Sequence, residues 1–559
     1  MRHIMANPIN IMKSLKNMLW VVPIFLLCSC CTSQHEKVVE GNFKPTWDSL
    51  SQYDQAPDWF RDAKFGIWAH WGPQCQPEEG DWYAREMYLE GSRVYNAHLK
   101  KYGHPSEFGF KDVIHEWKAE KWDPEKLMEV YKHVGAKYFV ALANHHDNFD
   151  LWDSKYHSWN SVNMGPKKDL LGGWKKAADA NGLRFGVSLH ASHAWTWYEP
   201  AQRSDKEGAK KGVPYDGKLT KADGNGQWWE GYDPQDLYAQ NHDLGRYSLT
   251  DNGAVHKHWR WREGASLPDE AYRQAFLNRN LDLIDKYSPD FVYYDDVSFP
   301  LWPISDVGLK IAEHLYNKSV QEHQGRNEAV ITAKELAPDE KDCLVWDVER
   351  GVPPNIQDKP WQTCTCLGSW HYDRGIYERG HYKSAANVVR LLTDVVSKNG
   401  NLLLSVPLRG DGTYDEKEEK ILNEIAAWMD INGEGLFGTR PWKVHGEGPS
   451  FAESRPLHGL GFNESNYRSS TSEDIRFVAK GNLLYAHVMA WPKEGNNSIL
   501  VRSLAKGSEL YPQEVKSVEL LGFDKPLTFT RTDEGLRVEL PNDVHFNDIS
   551  LVLKITPLS

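Results

Sequence analysis

Cysteine is scarce in this chain, with 7 residues in 559. Three of them, Cys28, Cys30 and Cys31, crowd into one N-terminal stretch, which leaves Cys75, Cys343, Cys364 and Cys366 for the rest. Four scattered thiols predict no disulfide framework. Cys364 and Cys366 lie two apart on a predicted strand and so share a face, poor geometry for a bridge. A CxC pair without further Cys or His at ligand spacing predicts no zinc site, and no metal or other cofactor is expected. There is no basic stripe: 65 Lys and Arg against 78 Asp and Glu give a formal charge of −13. That balance excludes nucleic acid as a partner. The apolar run from Met18 to Leu27 is too short to span a bilayer as a permanent helix. Internal repeats and low-complexity tracts are absent.

That apolar run does have a use. Lys13 and Lys16 precede it and Leu27-Cys28-Ser29-Cys30 ends it, the form of a bacterial lipoprotein signal. Cys30 is the expected lipidated residue, with Cys31 the alternative. A lipoprotein-type modification anchors firmly because two or more acyl chains act together. The expectation is an exported lipoprotein of the periplasm or outer membrane, with residues 1–30 as signal and 31–50 as a polar tether.

Over 51–442 short apolar runs alternate with amphipathic helical segments, the pattern of parallel β/α units. The predicted strands are Phe65–His70, Lys137–Ala143, Arg184–His190, Phe291–Asp295, Ala329–Ala333, Cys343–Val348, Thr363–Trp370 and Asn401–Val406. Eight strands predict a (β/α)8-like barrel. Asp123-Pro124 sets a helix N-cap and first-turn proline, and Gly135 stands where that helix should stop. Around 335–385 helical periodicity is poor. Residues 196–265, rich in Lys, Gly, Asp and Trp, form a long insertion after the third strand. In a barrel such insertions build the active-site face; its lysines read as a solvated surface. Over 443–559 apolar and polar residues alternate without helices, which predicts a C-terminal antiparallel β-sandwich of about one hundred residues.

The aromatic surplus, 24 Trp and 25 Tyr, suits sugar binding, where ring faces stack on C–H faces, although large cores also use rings. In (β/α)8 enzymes the chemistry sits at the C-terminal ends of the strands. Those positions read His70-Trp71-Gly72, His145-His146-Asp147, His190 and His193, Asp295, Glu349 and Trp370. Strand alternation puts Phe291, Tyr293 and Asp295 on one face and Asp296 on the other. A carboxylate delivered by a strand tip into an aromatic-lined space has the form of a glycosidase nucleophile. A metal hydrolase is disfavoured because His145 and His146 are adjacent and the first strand offers only His70.

Phe65-Gly66-Ile67-Trp68-Ala69-His70-Trp71-Gly72, Trp82-Tyr83-Ala84-Arg85-Glu86-Met87 and His145-His146-Asp147-Asn148-Phe149-Asp150-Leu151-Trp152-Asp153-Ser154 resemble glycoside hydrolase family 29, the α-L-fucosidases. Pro289–Asp295, Val396–Leu404 and Asn432-Gly433-Glu434 do so as well, over roughly 45–445 in the right order. The resemblance implies a barrel followed by a β-sandwich and a retaining exo-hydrolysis of terminal α-L-fucosyl residues from glycans. Asp295 matches the nucleophile. Trp346-Asp347-Val348-Glu349-Arg350-Gly351 fits the acid/base best, which assigns Glu349, with Glu86 as its rival. Alternation turns Arg350 away from Glu349. By motif match His70, Trp82, Tyr83, His145 and His146 contact the sugar, Tyr293 precedes the nucleophile where many members carry Trp, and Trp370 forms an apolar wall. The implied partner is a fucosylated oligosaccharide or glycoconjugate, and the membrane through the lipid anchor.

Several positions depart from that family's pattern. Asn144 stands where many members have Lys before the His pair, and Trp361-Gln362 replaces a common Trp-Glu. The third strand ends in Ser188-Leu189-His190-Ala191-Ser192-His193 instead of a tyrosine-rich form, and Pro407-Leu408 replaces Gly-Pro. An α-L-galactosidase of the same family is the alternative within enzymes, since the two sugars differ only at C6. A non-catalytic glycan-binding lipoprotein is the alternative from another class.

Overall fold

The computed structural model describes residues 36–240, 242–245, 260–450, 457, 463–464, 470–493, 497–542 and 544–558. The expected signal with Cys30, and residues 31–35 of the expected tether, lie outside them, as do 241 and 246–259 of the insertion.

Eight parallel strands close into a barrel in the order β1 to β8. They are β1 (Phe65–Ala69), β2 (Tyr138–Asn144), β3 (Arg184–Leu189), β4 (Phe291–Tyr294), β5 (Val330–Ala333), β6 (Val345–Glu349), β7 (Trp361–Cys366) and β8 (Gly400–Ser405). Each falls where the sequence places it, with ends shifted by a residue or two, except that β7 stops at Cys366 instead of reaching Trp370. All but the first residue of β3 and two residues of β6 are buried, because helices cover the outside and side chains fill the inside. At Gly66 of β1 a Cβ would lie 2.3 Å from the Tyr138 ring, so that position takes no side chain.

The covering helices are α1 (Pro124–His133), α2 (Leu170–Asn181), α3 (Glu270–Tyr287), α4 (Val307–Glu322), α5 (Ala385–Ser397) and α6 (Glu416–Asn432). Asp123, Asp169, Asp269, Ser384 and Asp415 cap five of them by accepting backbone N–H bonds. Between β5 and β6 there is only a 3₁₀ turn, Glu340–Asp342, and between β6 and β7 no helix among the described residues. The weak periodicity around 335–385 has this cause: two of the connections are not helical.

After α6 the chain forms two antiparallel sheets, one of five strands and one of three, around a shared core. In the strand Gly535–Glu539, Leu536 and Val538 point into that core while Arg537 and Glu539 face water, the alternation a half-buried strand requires. One strand is new relative to the sequence reading. β9 (Arg440–Glu447) is mostly part-exposed and carries Pro441, which hides its period, yet it pairs with β10 (Ile475–Lys480) at the sheet edge.

A buried charge cluster ties α5 to the C-terminal sheet. Asp394 accepts from Arg476 Nε of β10 at 2.5 Å and from Lys398 Nζ at 2.9 Å. Burial alone would raise the Asp394 carboxyl, but Lys398 and Arg476 overcome it and hold it far below the usual range. Because the folded form is the stronger acid, its stabilisation is present above the ordinary carboxylate pKa and is lost as pH falls. Asp394→Asn leaves two buried cations uncompensated and should lower unfolding free energy by about 3–5 kcal/mol. Urea denaturation at pH 7 checks it; a loss under about 1 kcal/mol would mean the cluster is solvated, as exposed pairs are.

Candidate active site

The C-terminal ends of the barrel strands deliver their next residues to one rim. His70 follows β1, His145 and His146 follow β2, His190 follows β3, Asp295 follows β4, Lys334 follows β5, and Glu349 is the last residue of β6. His371 comes from the segment after β7. All four of His70, His145, His190 and His371 are almost fully buried, and their rings lie 4.7–5.2 Å apart in the pairs His70–His145, His70–His190, His70–His371, His145–His190 and His145–His371. His146 joins them 4.6 Å from His145.

Asn144 explains how His190 is placed. Its Oδ1 accepts from the backbone N–H of His190 at 3.2 Å and of Ala191 at 3.3 Å, while Nδ2 donates to Asp150 at 3.0 Å. A lysine there could not accept these bonds. The departure at Asn144 and the histidine-bearing end of β3 therefore belong together. The other departure, Gln362, lies in the barrel floor, where its amide donates to Asp347 Oδ1 at 2.8 Å and its carbonyl accepts from Tyr138.

Asp295 is the centre of the arrangement. Its Oδ2 is 3.1 Å from His146 Nε2 and 3.2 Å from His190 Nδ1, and its Oδ1 pairs with Lys334 Nζ. The same Nζ pairs with Glu349 Oε2. One ammonium touching an oxygen of each carboxylate puts those oxygens within two hydrogen-bond lengths, roughly 6 Å at most. Burial alone would raise the Asp295 carboxyl; Lys334, His146 and His190 outweigh it and hold it well below the usual carboxylate range. Burial would likewise lower Lys334, but Asp295 and Glu349 push it well above the usual amine value. His70 and His145 are driven well below the usual imidazole value by burial and by the other imidazoles, so both are neutral at pH 7. Asp347, one turn of the pleat below Glu349, is pushed up to about 6 by burial.

The remaining residues singled out in the sequence divide into two groups. Trp370 faces the cluster, 5.6 Å from His70 and 5.5 Å from Trp68. Tyr293 forms floor: its ring packs 4.7 Å from Trp68 and its hydroxyl turns down to Asp347 at 3.4 Å. Trp82 is half-buried in a left-handed turn beside Asp81. Tyr83 stands apart, because its hydroxyl is spent on His98 Nδ1 at 2.5 Å; it braces the turn that carries Asp81 and Trp82. Glu349, and not Glu86, shares Lys334 with Asp295. Arg350 points out of the site, to Glu464.

Three residues of the cluster were not picked out by the sequence reading: Lys334, Asp81 and His371. Asp81 accepts from His371 Nδ1 at 2.6 Å, which leaves His371 Nε2 facing the cluster without a partner, as are both ring nitrogens of His70. His70, Asp81, His145 and His371 bring ligand atoms within 4.8 Å of one another, close enough to ask whether they could hold a metal. Their hydrogen-bond wiring answers against it. Gln74 Oε1 accepts from Ala84 N, so its amide nitrogen donates to His145 Nδ1, and the His145 proton sits on Nε2, facing inward. A ring that presents N–H there and another that presents a lone pair suit a polyol, which both donates and accepts.

The insertion's lysines Lys206, Lys211 and Lys218 are exposed, but its first residues are not. Trp197, Tyr198 and Glu199 are buried, Tyr198 donates to the Asp147 carbonyl, and the Trp197 ring lies 5.7 Å from His146. Among its lysines Lys210 pairs with Glu107 at the surface.

The α-L-fucosidase family model matches residues 30–434, and that of the α-L-fucosidase C-terminal domain matches 468–556. The chain is 24% identical over 512 residues to the α-L-fucosidase of Branchiostoma floridae, covering 90% of this chain and 92% of that protein. It is 23% identical over 543 residues to the tissue α-L-fucosidase of Rattus norvegicus, covering 95% and 96%. The fold is that of the Thermotoga maritima α-fucosidase solved in complex with fucose, with a TM-score of 0.65 at 24% identity over 92% of this chain and 100% of that one. With the match spanning both the barrel and the C-terminal sheets, the chain belongs to the α-L-fucosidase family, glycoside hydrolase family 29.

Proposed function

We propose that the protein is an exo-acting, retaining α-L-fucosidase in which Asp295 is the nucleophile and Glu349 the acid/base. The observation that carries this reading is Lys334 Nζ in contact with both carboxylates. A shared ammonium keeps oxygens of the pair within roughly 6 Å, which supports the separation of retaining enzymes, about 5–5.5 Å, over the roughly 6.5–9.5 Å that inverting enzymes leave for a water.

The two groups have opposite tasks. Asp295 must be ionised, and three cationic or N–H partners keep it so. It attacks the anomeric carbon as the bond to the leaving oxygen breaks, and that oxygen takes its proton from Glu349. Water then gives a proton back to Glu349 and displaces Asp295 from the sugar. A sugar seated between the two carboxylates parts Glu349 from Lys334 and leaves Lys334 to Asp295. His70, His145, His371 and Asp81 supply the donors and acceptors for ring hydroxyls, and Trp370 an apolar wall.

Hydrolysis of para-nitrophenyl α-L-fucoside followed by proton NMR tests the reading. The α anomer of fucose should appear first; the β anomer first would rule out a double displacement. The matching α-L-galactoside should turn over more slowly, and faster cleavage of it would reassign the sugar.

A further inference from the structure

The residue after Glu349 has a backbone that a side chain disfavours. Arg350 adopts φ 48°, in the left-handed region. Strain of this kind persists only where the surroundings over-determine it, and here the surroundings are two residues contributed by the segment between β9 and β10. Asn463 forms a two-bond clamp on Val352, its Oδ1 accepting from Val352 N and its Nδ2 donating to Val352 O, both at 3.0 Å. Glu464 N donates to Arg350 O at 2.9 Å. The Glu464 carboxylate then takes Arg350 Nε at 3.0 Å, Thr365 Oγ1 at 2.7 Å and Lys383 Nζ at 3.4 Å. It is only 13% exposed, so these bonds work in a poorly solvated place.

Glu349 already meets many charged and titratable groups. Tyr293 of β4, Asp295 just after it, Lys334 just after β5, Asp347 of its own strand and Cys364 of β7 lie around it, and Arg350, the next residue, acts on it through space even while bound to Glu464. Lys334 is the cation in contact with this carboxylate, and an Arg350 side chain turned inward would bring a second. We propose that Glu464, carried by the C-terminal part of the chain, is a positioning residue for the reaction: it holds the Arg350 side chain outward and fixes the turn after β6, so that Glu349 faces the site without a guanidinium in direct contact. This rests on the reading of Glu349 as the acid/base.

The test uses the full chain and compares kcat/KM on a fucosylated oligosaccharide, whose leaving group needs a proton, with an aryl α-L-fucoside, whose leaving group does not. In Glu464→Ala the oligosaccharide rate should fall about tenfold or more against the aryl rate, and the alkaline limb of its pH profile should move down by about one unit. Glu464→Gln, which keeps the shape and loses the charge, should shift the limb the same way. Adding Arg350→Asn, which tolerates the left-handed backbone, should return the limb towards the wild-type position. Equal loss on both substrates, an unmoved limb, or a shift that survives removal of Arg350 overturns the proposal. A substrate-free readout separates it from the fucosidase reading: the Glu349 carboxyl carbon NMR signal, recognised by its loss in Glu349→Gln, should titrate at lower pH in Glu464→Ala. If wild type cleaves no fucoside but this signal moves, the activity is misassigned and the positioning stands; if the signal stays, the positioning fails.

Discussion

Asp295→Ala should abolish hydrolysis, lowering kcat by about 10⁴-fold or more on fucosides of every leaving group. The loss does not depend on the leaving group because no other described carboxylate lies where Asp295 contacts His146, His190 and Lys334 together. Fucose binding should survive, since the polyol contacts of His70, His145, His371 and Asp81 are untouched. Calorimetric titration with fucose checks that half, and stopped assays over hours check the other. The wild-type acid limb should lie below the ordinary carboxylate range, because Lys334, His146 and His190 keep Asp295 ionised there. Residual activity within about 100-fold of wild type would mean that another group is the nucleophile.

Glu349→Ala should behave differently. Its absence costs a proton donor, worth about 10²–10⁴-fold on an oligosaccharide, but little in the first step for an activated aryl fucoside. Azide should then rescue turnover and yield fucosyl azide, because a small anion needs no base to enter the space left by the carboxylate. Product analysis would identify the azide directly. Wild-type rates on the oligosaccharide would remove Glu349 from the role, and Glu86 would be next to examine.

Much of this was legible in the residues, for physical reasons that can be named. Buried parallel strands are short apolar runs, so β1 to β8 stood out, and residues at their ends had to share a rim. Asp295 and Glu349 were found that way. What was not legible depends on convergence in space. Lys334 looks like any lysine after an apolar run until β4 and β6 place a carboxylate on either side of it. Asp81 and His371 are 290 positions apart in the chain, and their 2.6 Å bond has no local signature. β9 was hidden by Pro441 and by its part-exposed faces. The insertion's lysines Lys206, Lys211 and Lys218 are exposed, as their composition suggested, but nothing local announced that Trp197 and Tyr198 pack into the core beside the site. Tyr83 carries a family-like motif, but its hydroxyl is committed to His98, so its part is to shape the turn before it.

The most direct test of the account is covalent trapping. A fluorinated fucosyl fluoride slows release of the sugar from a double-displacement enzyme, so incubation followed by peptide mass spectrometry should find one fluorinated fucosyl group, attached to Asp295 in place of the departed anomeric fluoride. A label on any other residue, or no label while the compound is consumed, would contradict the claim that Asp295 attacks the sugar.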